Sequence, residues 1–235
     1  KIAKTYREKR IKKGAISFES EGMRFELDKQ GNPVRTYVKI SKDANKLIEE
    51  FMLLANKKVA EFIGKRKKGE DFIPFIYRTH DEPSMEKIML FGTFIDKFGY
   101  DIDFTHPDQI AMAMNKLLDD IRYKNEAGII QTMAIRSMAK AVYETRNIGH
   151  YGLSFEFYTH FTSPIRRYAD LIVHRILFNE LHNVSHKYGS ELDDMAKRIS
   201  RNERKAVEAE RDSNKYFQVL LMKDKVGQTF DGIVS

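Results

Sequence analysis

Cysteine is absent from this 235-residue chain, which excludes disulfides and thiolate metal sites and suits a cytoplasmic setting. No apolar run approaches the roughly 20 residues of a membrane-spanning helix, and no signal-peptide pattern opens the chain, so no membrane partner is expected. Ser163 lacks the sharp glycine-flanked turn of a serine-hydrolase nucleophile, which argues against that chemistry. His182 and His186 have the i, i+4 spacing that can hold zinc, but no glutamate follows the first histidine and no third ligand accompanies them. Aspartates come close together only at Asp101/Asp103, Asp119/Asp120 and Asp193/Asp194, which read as a loop and as solvent-facing helix turns. No metal ligand is assigned within the chain. The first residue, Lys1, is not methionine and lies in a basic, helix-like stretch, so the start reads as truncated.

What is present suits one large globular domain, with 42% hydrophobic and 32% charged residues. The net charge of +7 is unevenly spread. Lys1, Lys4, Arg7, Lys9, Arg10, Lys12 and Lys13 face Glu8 alone, and Lys65–Arg66–Lys67–Lys68 form a second cluster. Such runs serve either as solvated surface or as a guide for a polyanion.

Alternating apolar and polar residues predict short strands at about 14–19, 22–28 and 33–39, with turns at Glu21–Gly22 and Gly31–Asn32–Pro33. From Ser41 the period becomes helical, with Ser41 or Asp43 as cap and an end near Gly64. Further helices are predicted at about 84–98, from Pro107 to Lys124, from Glu126 to Tyr143, at 163–182 and at 188–224. The fold class is α+β and helix-rich, with a long C-terminal helix. Residues 1–224 form one domain, and 225–235 read as the first strand of a following, truncated domain.

The densest chemistry lies in His160-Phe161-Thr162-Ser163-Pro164-Ile165-Arg166-Arg167-Tyr168-Ala169-Asp170, continuing to His174 and Arg175. Ser163 can cap a helix, and Pro164 fits its first position because it has no N–H to leave unpaired. The free N–H groups and dipole would then favour an anion. Arg166 and Arg167 in that first turn lose dipole energy, which a bound phosphate would offset. On spacing alone, phosphate binding and an Arg166–Asp170 ion pair stand as equal alternatives.

This string resembles the signature of the ribonuclease II/R (RNB) family of 3′-to-5′ exoribonucleases, closest to its ribonuclease R branch. Tyr77-Arg78-Thr79-His80-Asp81-Glu82-Pro83-Ser84, Arg136-Ser137-Met138 with Ala141 and Tyr143, and His150-Tyr151-Gly152-Leu153 resemble further family blocks in the same order. Gly14–Glu19 and Leu47–Met52 resemble an early strand and the helix after it. The last residues, Val226 to Ser235, resemble the opening strand of an S1 RNA-binding domain.

The resemblance implies an RNB catalytic domain lacking its upstream part. The full protein would be a monomer hydrolysing single-stranded RNA to nucleoside monophosphates with Mg²⁺. The family's aspartate cluster is not found in this chain, so the metal ligands are expected upstream and the fragment alone is expected to be inactive. By resemblance, Arg166 contacts the scissile phosphate as the catalytic residue, and Phe18 stacks on bases near the 3′ end. Glu49 and Glu210 match glutamates near the terminal nucleotide, where ribose hydroxyls can donate to a carboxylate. Arg167 is read as binding a neighbouring phosphate or bracing the helix, and Tyr158 and His160 as lining the groove, with packing in a strand-like segment as their alternative. A non-catalytic RNA-binding module of the same fold is the alternative.

Overall fold

In the computed structural model, residues 1–18, 22–65, 73–106, 109–185 and 188–230 are described. The elements run α1 (Ile2–Lys12), β1 (Gly22–Leu27), β2 (Pro33–Lys39), α2 (Asp43–Gly64), β3 (Tyr77–Thr79), α3 (Met85–Asp96), α4 (Ile110–Ile121), α5 (Ala127–Ser137), β4 (Val142–Glu144), α6 (Tyr168–Leu181) and α7 (Glu191–Met222). This is the helix-rich α+β architecture read from the sequence. None of the described helices is long and apolar enough to cross a membrane.

Helical spacing of apolar residues builds two cores. In the first, Ile88, Phe91 and Ile95 of α3 meet Ile110, Met114, Leu117 and Ile121 of α4 and Ile130 of α5. In the second, Ala60 and Ile63 of α2 pack with Phe75, Ile76 and Tyr77, with Ala169, Ile172, Val173 and Ile176 of α6, and with Leu192 and Ala196 of α7. Each large aliphatic side chain buried this way contributes about 1.5–3 kcal/mol. Gly64 ends α2 where a Cβ would sit 2.7 Å from both the Phe157 ring and the Tyr77 hydroxyl, so this end of the second core accepts only glycine without rearrangement.

The two sheets are small antiparallel pairs. The β1–β2 hairpin turns where the Asp28 carboxylate accepts the N–H groups of Gln30 (2.9 Å) and Asn32 (2.8 Å). Strand β3 pairs with β4 through Tyr77↔Glu144, Arg78↔Tyr143 and Thr79↔Val142. Helix α7 is tied to β4 where the Tyr143 N–H donates to Ser200 Oγ at 2.8 Å. Helix α1 docks on α2 through a buried ion pair, Arg10 to Glu50 at 2.6 Å.

Several boundaries differ from the sequence expectations. Residues 14–18 are not a strand, because the Asn115 amide takes the backbone groups a neighbouring strand would have used. It accepts from Ser17 N–H at 3.1 Å and donates to the Ala15 carbonyl at 2.8 Å. Helix α5 stops at Ser137, where Met138 turns extended, and Tyr143 therefore lies in β4 rather than in a helix. Neither Ser41 nor Asp43 caps α2; Lys42 holds that position, and its N–H is taken by Asn45 Oδ1 at 3.1 Å. Pro107, Glu21 and His186 lie outside the described residues. Residues 226–230 have no regular secondary structure, and 231–235 are outside the described residues.

Candidate nucleic-acid interface

The arginine segment does not begin a helix at Ser163. Helix α6 starts at Tyr168, with Arg167 as an extended N-cap. Before it, Ser163 to Arg167 form a turn in which the Ser163 carbonyl accepts N–H groups from Arg166 (3.3 Å) and Arg167 (3.1 Å). Ile165 in this turn is fully exposed, so the turn stands proud of the surface. The cause is Asp170. Its completely buried carboxylate accepts the Ser163 N–H at 2.7 Å and both Nε and Nη2 of Arg167 at 2.8 Å. Among the described residues the Ser163 hydroxyl makes no capping bond, and the N–H groups of Ser163, Arg166 and Arg167 are spent inside the protein.

The two arginines are thereby separated in role. Arg167 forms the bidentate pair with Asp170, the partner that spacing had offered to Arg166. Arg166 is exposed and makes no side-chain hydrogen bond or ion pair among the described residues. A neutralised guanidinium braces the turn, and an unpaired one is left on its surface.

Beside this turn lies a pocket of about 470 Å³ lined by Asn45, Glu49, Asn56, Tyr158, Thr162 and Arg167, with Ala44, Ile48, Met52 and Leu53. Helix α2 presents Glu49 here, exposed and without an ion pair among the described residues. The preceding extended segment is anchored beside β3: the Tyr158 carbonyl accepts the Arg78 N–H at 2.9 Å, and Thr159 Oγ1 donates to the Ile76 carbonyl at 2.6 Å. Tyr158 is almost fully buried (4% exposed) and accepts from Asn56 Nδ2 at 3.1 Å, so it forms the pocket floor.

His160 is not at the pocket surface. Its Nδ1 lies 2.7 Å from the Tyr143 hydroxyl, and its ring meets Tyr158 and Tyr143 edge-on. Burial, then the Arg167 and Arg78 charges, push the His160 pKa down to about 2, so the ring is neutral and packs as a strut. Burial pushes the Tyr143 hydroxyl up to about 12. Arg78 lies 4.6 Å over the Tyr143 ring and donates to Glu203 at 2.7 Å. His174 stacks on Phe161 and reaches its carbonyl at 2.8 Å, a structural role.

Glu49, Tyr158 and Arg167 thus meet in one pocket with Arg166 adjacent, while His160 stands behind. Phe18 packs against the first core and is not part of the pocket lining, and Glu210 is exposed on the outer half of α7. Sequence reasoning missed Asn56, Arg10 and Glu50. Asn56 carried a signal, since it shares an i, i+4, i+7 stripe with buried Ala60 and Ile63. A larger cleft of about 890 Å³ mixes Lys13 with Asp81, Glu82 and Glu156, a poor lining for a phosphate chain.

Among the described residues, no three histidines, aspartates or glutamates gather as a metal site. Asp103 is turned onto Thr105, Asp119 onto Arg122 and Asp193 onto Lys197. The described residues therefore do not fit a magnesium centre by themselves.

The chain is similar over its whole length to ribonuclease R of Thermotoga maritima, at 37% identity, covering 33% of that protein. It is 36% identical to ribonuclease R of Escherichia coli K12 over 96% of this chain and 28% of that protein. The chain thus spans about a third of the length of these curated relatives. Among solved structures, Mycoplasma genitalium RNase R in complex with double-stranded RNA superposes with a TM-score of 0.87, at 26% identity, covering 99% of this chain and 42% of that one. The RNB domain model matches residues 1–183, a span that takes in the arginine turn, the Glu49 pocket, the first core and the second core except its α7 side chains, and the chain belongs to the RNB domain family.

Proposed function

We propose that this chain forms the RNA-holding part of a 3′-to-5′ exoribonuclease that releases nucleoside monophosphates from single-stranded RNA by metal-assisted hydrolysis. The observation that carries the reading is the division of labour in the turn. Arg167 is closed onto Asp170, and Arg166 remains an exposed cation, unpaired among the described residues, on a braced turn next to a pocket walled by a carboxylate over an aromatic floor. A backbone turn held in place before RNA arrives lets the exposed guanidinium stabilise charge developing on a phosphate with only its own side chain left to order. Glu49 offers an acceptor for ribose hydroxyls, which DNA supplies less fully. The RNA-bound ribonuclease R relatives support RNA as the partner.

Phe18 stacking on bases near the terminus and Glu210 touching the terminal nucleotide belong to this reading through the family resemblance. So do a monomeric state, a cytoplasmic location and Mg²⁺. The metal's ligands are assigned to carboxylates outside the described residues, because those residues build no cluster. A non-catalytic RNA-binding module of the same fold is the second reading.

Incubating the chain with labelled single-stranded oligoribonucleotide and Mg²⁺ tests the proposal. Binding without mononucleotide release is expected from this chain alone. Failure to bind RNA overturns the functional reading, and Mg²⁺-dependent release overturns the assignment of the metal site elsewhere.

A further inference from the structure

We propose that Asn56 is a positioning residue, whose side-chain amide fixes the backbone of Phe161 and Thr162 and so sets where the Arg166–Arg167 turn stands beside the Glu49 pocket. The inference rests on the RNA-binding reading above and adds to it the device that holds the turn in place.

Asn56 is 3% exposed on α2. A buried amide is costly unless its polar atoms are paired. Here Oδ1 accepts two N–H groups, from Phe161 at 3.0 Å and Thr162 at 3.2 Å, and Nδ2 donates to the Tyr158 hydroxyl at 3.1 Å. The orientation of the amide follows from chemistry, since the flipped form would set an NH₂ against two N–H donors. One side chain thereby joins the pocket floor to the first two residues of the segment leading into the turn.

The neighbouring peptides are held the same way. The Ser163 N–H goes to Asp170 at 2.7 Å, and the Phe161 carbonyl meets His174 at 2.8 Å. Three consecutive N–H groups are therefore satisfied by side chains from two helices, α2 and α6, and by no backbone ladder. A segment without a ladder would wander if its side-chain acceptors were lost. Its order before ligand arrives lets Arg166 meet a phosphate without the cost of ordering the backbone, so that only the side chain is left to fix. Asn56 has its acceptor capacity spent on the backbone, so its action on RNA runs through the turn.

The test compares binding of the full chain to a short fluorescent single-stranded RNA in linear form and as a covalent circle of the same sequence, which has no terminus. Wild type is expected to prefer the linear form. Asn56→Ala is expected to lose that preference by about tenfold while melting well above the assay temperature. Asn56→Asp is expected to keep it within about threefold, because a carboxylate still accepts both N–H groups and the Tyr158 hydroxyl can turn to donate. A folded Asn56→Ala with an intact preference overturns the proposal, as does an Asn56→Asp that fails as badly as the alanine.

Arg166→Ala serves as the reference. If it too keeps the preference, the RNA-terminus reading itself fails. If it loses the preference while Asn56→Ala does not, only the role of Asn56 fails. Should Asn56→Ala not fold, hydrogen exchange of the Phe161 and Thr162 amides in wild type decides. Exchange only through global unfolding supports the proposal, and fast local exchange overturns it.

Discussion

Arg167 closes on Asp170 through two parallel hydrogen bonds of 2.8 Å, and this pairing frees its neighbour Arg166 from any internal partner among the described residues. Two adjacent arginines that look interchangeable in the sequence are given opposite work by one buried carboxylate. The first consequence concerns stability. Removing one member of a buried ion pair leaves an uncompensated charge at a cost of about 3–5 kcal/mol. Asp170→Ala is therefore expected to lower stability by about that amount in urea unfolding, whereas Arg166→Ala should change it by less than about 0.5 kcal/mol. Equal effects of the two substitutions would remove the distinction.

Catalysis provides the second contrast. In a hydrolytically active enzyme carrying these residues, Arg166→Ala is expected to lower kcat by about 10²–10³ while RNA affinity falls far less. Single-turnover rates set beside equilibrium binding measure both. Equal losses in rate and affinity would contradict a transition-state role.

Sugar discrimination follows from Glu49. If ribose hydroxyls donate to its carboxylate, Glu49→Gln should weaken binding of an oligoribonucleotide by about tenfold and hardly affect its deoxy counterpart. Competition between the two oligonucleotides reads this directly. A uniform loss for both would place Glu49 outside sugar recognition.

Acid sensitivity follows from the half-buried rings of His150 and His160. Burial first, then neighbouring positive charge, pushes His150 down to about 3 and His160 to about 2. Unfolded histidines take up protons near pH 6.5, so below that pH the unfolded chain binds more protons than the folded one. Stability should be intact above about pH 6.5 and fall as pH drops toward about 3, by up to roughly 1.4 kcal/mol per pH unit for each ring. Urea midpoints measured from neutral to mildly acidic pH check it; a flat profile would mean that the rings charge freely in the fold.

The helices were legible because their apolar period spans many residues and so averages over local exceptions. The start of α6 was not, because Ser163-Pro164 carries every local signal of a cap. A single buried acceptor seven residues on, Asp170, overrode those signals by drawing the Ser163 N–H into a separate turn. The strand expected at about 14–19 is absent over its described residues, 14–18, because an acceptor and donor come from far away: Asn115, about a hundred positions on in sequence, supplies the bonds of a missing neighbour. Glu49 and Glu50 show the limit of pattern reading at single-residue scale. Adjacent and identical, they face a pocket and a buried arginine respectively, a difference set by where α1 docks. The arginine segment itself was readable because its residue types announce anion chemistry. Which arginine is free could be learned only from the fold.

The central claim is that Arg166 alone of the pair is available to a phosphate. The most direct measurement is the salt dependence of single-stranded RNA affinity for wild type and Arg166→Ala. Each phosphate contact on a single strand contributes about 0.7 to the slope of log K against log salt. The account predicts that Arg166→Ala lowers the slope by about 0.7 with an unchanged melting temperature. An unchanged slope, or a variant that melts as low as Asp170→Ala, would contradict it.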